Sequence, residues 1–145
     1  MKQDYWASPQ ALDDFLRRFE DGTFPKAEWD HQAHVVMAAS YLLAHPMEQA
    51  TEIIRRRIPA YNVAQGGQNT DTSGYHETLT IFWIRVVAAF LASLDPALSR
   101  VEKVGRVAEH FAARRGLFRH YYSFDVPAST EARKRWIEPD LLALP

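Results

Sequence analysis

Apolar residues recur along most of this chain at intervals of three and four, and no segment alternates apolar with polar positions for long. That period is helical, and the β-branched residues fall inside it, so the pattern predicts an all-α protein. Helix 1 spans about Pro9 to Glu20. Ser8 is its cap, Pro9 suits the first helical position, and Leu12, Phe15, Leu16 and Phe19 form its inward face before Gly22 closes it. Asp30 caps helix 2, which continues to about Ala44. Pro46 opens helix 3, where Ala50, Ile53, Ile54 and Ile58 make a stripe. Pro59 is expected to end or kink that helix, because it lacks an amide and its ring clashes with the preceding turn.

Helix 4, about Tyr75 to Leu94, is apolar on most sides and is expected to be the central, most buried element. Asp95-Pro96 starts helix 5 as a cap and first-turn pair, and that helix runs to about Arg114 before Gly116. A shorter helix follows Ser129, near Thr130 to Ile137, and Glu138 to Pro145 reads as an extended tail packed on the bundle. The expected architecture is a single helical domain over residues 1–145: a bundle of about five helices, a short C-terminal helix and an extended tail.

Composition narrows the chemistry. The formal charge is −1, so there is no electrostatic case for bulk nucleic-acid or membrane binding. The most apolar stretch, Leu79 to Leu94, is too short for a membrane span and carries Arg85, which needs a carboxylate partner if it is buried. There is no cysteine, which removes disulfides, thiolate metal sites and cysteine nucleophiles. The N-terminal Met1-Lys2-Gln3-Asp4-Tyr5-Trp6 has no apolar core of a secretion signal, so the cytoplasm is the expected location.

What remains is histidine. His31 and His34 lie in Trp29-Asp30-His31-Gln32-Ala33-His34, and His76 in Gly74-Tyr75-His76-Glu77-Thr78. All three fall in the opening turn of a predicted helix. At about 100° per residue, His31 and His34 share a face with Ala38 and Leu42, and His76 heads a stripe with Thr80, Trp83 and Val87. If consecutive helices pack antiparallel, helices 2 and 4 start at the same end of the bundle. Helix 5 runs back toward it with His110, His120 lies just beyond, and the irregular stretch Asn62–Gly74 is expected to lie over it as a lid.

Imidazoles so gathered point to a divalent transition metal, zinc or iron, with His31, His34 and His76 as ligands. Glu77 is then a fourth ligand or the general base on a bound water, with Asp30 or Glu28 as alternative carboxylates. Trp29, Tyr75, Thr80 and Tyr122 are candidates to contact a substrate. Glu28 and His31 have the spacing of a di-iron bundle motif, but the second copy such a centre needs is missing. The competing readings are structural histidines that bond backbone carbonyls, and an anion site in which neutral imidazoles act without metal. Three basic clusters, at 55–57, at 114, 115 and 119, and at 133–135, fit helix C-termini and surface charge, though the first two also rim the proposed end.

The run Trp29-Asp-His-Gln-Ala-His34, then Gly74-Tyr-His-Glu-Thr-Leu-Thr80 with Trp83, then Tyr121-Tyr-Ser123 and Ala132-Arg133 through Trp136 to Leu141, resembles a family of small bacterial helical proteins with no established activity. The resemblance implies one domain from about Phe24 onward and brings no mechanism with it. Three functions are therefore open. The first is a small metal-dependent enzyme acting on a small, anionic metabolite. The second is a metal-free small-molecule binding module, and the third a structural or regulatory homodimer.

Overall fold

Six α-helices and no strands occur among the residues described by the computed structural model, 4–145; residues 1–3 of the N-terminal stretch considered above lie outside them. The first helices begin where their caps put them. Ser8 accepts the Ala11 amide at 3.1 Å and opens α1, Pro9–Glu20, which buries Leu12, Phe15 and Phe19. Asp30 accepts the Ala33 amide at 2.9 Å and opens α2, His31–Ala44.

Helix α3, Met47–Ala64, continues past Pro59 and does not end there. A proline inside a helix costs roughly 3 kcal/mol. Packing on both sides of it offsets that. Ile58 and Tyr61 are buried, and the Tyr61 hydroxyl donates to the Phe24 carbonyl at 2.6 Å. Helix α4, Glu77–Ala92, is shorter than expected because His76 is its cap rather than its first turn. Helix α5, Arg100–Phe111, starts late: Asp95 closes only a local turn on Ala97, and Ser99 with Glu102 forms the reciprocal capping box that sets the start. The short α6, Thr130–Lys134, follows the Ser129 cap and ends three residues before the expected Ile137.

Helix α4 packs against α2, α3, α5 and α6, and α2 against α3, α4 and α5, so the two share the centre. The longest uninterrupted buried run belongs to α2, from Val35 to Tyr41, and not to α4 as expected. Phe82 and Val87 of α4 meet this core along with Phe15, Phe19 and Phe24. No helix among the described residues is long and apolar enough to cross a membrane.

The irregular stretch is fastened rather than lid-like. It begins only after Ala64, because α3 absorbs Asn62 to Ala64. Asn69 accepts from the Asn62 side chain at 2.9 Å and the Tyr75 amide at 3.0 Å, and donates to the Pro59 carbonyl at 3.0 Å. Gly74 sits at φ +79, where a Cβ would overlap the Gln68 carbonyl. Arg133 holds the Gly74 carbonyl at 2.8 Å, and Lys134 pairs with Asp71 at 3.2 Å. The tail is extended, as expected, and clipped to α4. The Thr78 hydroxyl donates to the Arg135 carbonyl at 2.7 Å and accepts the Ile137 amide at 3.1 Å, and the Leu141 amide bonds the Tyr121 carbonyl at 3.0 Å. Arg85 is exposed and lies over the Trp136 ring at 4.8 Å, so it needs no buried carboxylate.

Candidate functional site

With Asp30 as the cap, His31 is the first residue of α2 and His34 sits one turn in. Both are half-buried. The His31 Nε2 lies 3.0 Å from the Phe111 carbonyl at the end of α5, and its ring meets Trp83 of α4 edge-on at 4.7 Å. The His34 Nδ1 lies 2.7 Å from the Asp30 carbonyl, which also receives the His34 amide, and its ring lies 4.1 Å from Trp29. A carbonyl only accepts, so each of these nitrogens must carry the proton. Each neutral ring therefore keeps one lone pair: Nδ1 on His31, Nε2 on His34.

Neither lone pair has a partner among the described residues, where Arg57 Nε is the buried side-chain atom left unbonded. The two imidazole nitrogens are thus reached by solvent. Burial pushes the His31 pKa down and takes His34 down to about 4. His34 nonetheless keeps accessible surface. The bonded carbonyls push both values back up, and among the charges Arg115 lowers both histidines while Asp30 raises both, Asp30 being the stronger of the two at His34. Arg115 stands exposed in the turn that follows Phe111, the residue His31 holds, and has no ion-pair partner among the described residues.

The first turn of α4 is built differently. His76 caps the helix itself: its Nδ1 accepts the Leu79 amide at 3.2 Å, and its Nε2 donates to the Val126 carbonyl at 2.9 Å. Both nitrogens are engaged in one neutral tautomer, and burial lowers the pKa. Glu77 is buried, with both oxygens occupied. Arg55 Nε approaches Oε2 at 2.9 Å and Oε1 at 3.2 Å, a second Arg55 nitrogen bonds Oε2, and the Tyr75 hydroxyl donates to Oε1 at 2.5 Å. Burial raises the Glu77 pKa, but the Arg55 and Tyr75 hydrogen bonds outweigh it and hold the carboxyl below its ordinary value. A carboxylate so saturated is a weak proton acceptor. The Thr80 hydroxyl donates to the His76 carbonyl at 2.7 Å.

The sequence candidates thus divide. His31, His34 and Trp29 come together, with Trp83 behind His31. Glu77, Tyr75 and Arg55 form a second cluster, and His76 faces the segment around Val126. Tyr122 is buried and donates to the Ile137 carbonyl at 2.7 Å, under the tail. No three His, Cys, Asp or Glu side chains among the described residues are grouped to hold a metal ion. His110 is the neighbour of the Phe111 that His31 bonds, and its ring stacks on Phe90 at 4.3 Å. Two described cavities lie elsewhere, one of about 420 Å³ between Arg85 and the tail and one of about 130 Å³ beside Tyr5 and Arg18.

Sequence reasoning gave Arg115 no role at this site beyond rim charge, and it did not anticipate the pairing of Arg55 with Glu77. The adjacent Arg114-Arg115 was the available signal. Comparison with protein-family models, characterised proteins and solved structures finds no match.

Proposed function

We propose that this protein is a metal-free binding module for a small organic acid at the start of α2, its anionic group on Arg115 and a hydrogen-bond donor group on the open lone pairs of His31 and His34. The observation that carries the reading is His34: a half-buried neutral imidazole, pinned through Nδ1 to the Asp30 carbonyl, with its Nε2 lone pair open. Arg115, exposed and without an ion-pair partner among the described residues, is the cation offered to the anionic group. Trp29 offers an apolar wall.

The test is calorimetric and NMR titration with small carboxylates, with and without chelator. Binding should survive the chelator, weaken strongly in Arg115→Gln and perturb the His34 ring nitrogens. A second reading is a transition-metal site, zinc or iron, using the same two lone pairs. It is favoured by their placement three residues apart on one helix. Stoichiometric zinc uptake, lost in His34→Phe, would favour it over the first.

A further inference from the structure

We infer that the face formed by Arg85 and the tail is a self-association surface whose occupant is a second copy of this chain. One indole organises it. The Arg85 guanidinium lies over the Trp136 ring at 4.8 Å, and Trp136 Nε1 donates to Glu138 Oε1 at 3.0 Å. A cation and an anion are thus held on the same ring, one on its face and one at its edge. They do not pair with each other. Arg85 has no hydrogen bond or ion pair among the described residues, and Glu138 bonds only the neutral indole N–H. A guanidinium stacked by its face keeps its N–H edge free for a carboxylate.

Apolar surface accompanies the charges. Leu141 and Leu142 are 54% and 55% exposed and Phe124 is 38% exposed, three of the five large apolar side chains exposed among the described residues. Ser123 brings them together by clasping Asp140: its amide reaches Oδ1 at 2.9 Å and its hydroxyl reaches Oδ2. The Leu141 amide bonds the Tyr121 carbonyl. The two leucines are therefore held out by fastened backbone rather than exposed by fraying, and clustered apolar surface of this kind marks a contact site. Beside them and Arg85 lies the cavity of about 420 Å³, open to a side chain from outside.

The charge pattern selects the partner. A uniformly acidic or uniformly basic surface would meet one charge of its own sign here. A two-fold axis through the face places Arg85 of each copy opposite Glu138 of the other, and the leucines of each beside the hollow of the other. Asp140, the remaining charged group of the cavity, is already bonded by Ser123.

Sedimentation equilibrium of the full chain up to about 1 mM should show a monomer–dimer equilibrium with Kd of about 10–100 µM, as suits a small, partly polar contact. Arg85→Glu and Glu138→Arg should each weaken it at least about tenfold, because each sets like charges opposite one another twice. Mixed in equal amounts, the two variants should recover a dimer within a few fold of the wild-type affinity. On the wild-type protein, the Trp136 indole N–H and the Leu141 and Leu142 methyl resonances should move with concentration. Wild-type protein that stays monomeric at about 1 mM would overturn the inference. So would a dimer that leaves those resonances fixed, since it must use another face. Variants that are folded by circular dichroism yet monomeric both alone and mixed would overturn the charge pairing.

Discussion

The first turns of α2 and α4 carry the same residue type and use it in opposite ways. In α2 an aspartate is the cap, so His31 and His34 are left to bind carbonyls through one nitrogen and to face solvent with the other. In α4 the histidine is the cap, and His76 has no free nitrogen. One end is open chemistry and the other closed structure. The difference follows from the capping residue, since a helix's first amides must be satisfied by something. Where Asp30 does it, histidine is released; where no Ser, Thr, Asp or Asn stands before Glu77, histidine is consumed.

Acid should have the largest effect, and it acts on both ends. His31, His34 and His76 are neutral in the fold with lowered pKa, so the unfolded chain binds protons first as the pH drops below about 6.5. Stability is therefore complete above that pH and falls below it, by up to about 1.4 kcal/mol per pH unit for each histidine. For His34 the fall continues to about pH 4. Urea denaturation from pH 7.5 to 4.5 measures the slope. Asn keeps a capping oxygen and does not titrate, so His76→Asn should remove its share of the slope. An unchanged slope would mean that His76 does not act as a neutral cap.

His76→Ala separates the two ends most sharply. It removes the cap of α4 and leaves the Val126 carbonyl unpaired, and should cost about 2–3 kcal/mol at neutral pH. Carboxylate binding at His34 should be unaffected when measured well below the new melting temperature. Loss of binding with stability intact would reverse the assignment of the two ends. Glu77→Gln comes next, at about 1–2 kcal/mol, because the carboxylate is buried but Arg55 is partly exposed and its pairing is screened. Its thermal unfolding, compared with that of Arg55→Met, checks the coupling.

Asp30→Ala should be the mildest change, about 1 kcal/mol for a lost cap. The Asp30 backbone carbonyl remains, so His34 stays pinned and small-carboxylate affinity should hold within a few fold. A large loss of affinity would show that the carboxylate itself contacts the ligand, and calorimetry on the folded variant would reveal it.

Much of the fold was legible, because caps and apolar spacing act over a few residues. Ser8 and Asp30 mark the starts of α1 and α2 in the sequence as in the structure. Two cap-type residues near one helix were harder: Asp95 and Ser99 both qualify, and only Ser99 has a glutamate three residues on to complete the box. Pro59 misled for another reason. Its local penalty is real, but Tyr61 and Ile58 are buried by contacts with distant parts of the chain.

The sequence by itself determined an all-α chain, the faces its helices bury, and the presence of histidines in the first turns of α2 and α4. These follow from periodicity and from capping chemistry, which are local. Only the tertiary structure decided which imidazole nitrogens are left open. The carbonyls that claim them stand at Phe111, 80 positions from His31, and at Val126, 50 positions from His76. It likewise brought the end of α5 to the first turn of α2. A lone pair is free or engaged according to what the fold puts within 3 Å of it, and spacing along a chain carries no such information.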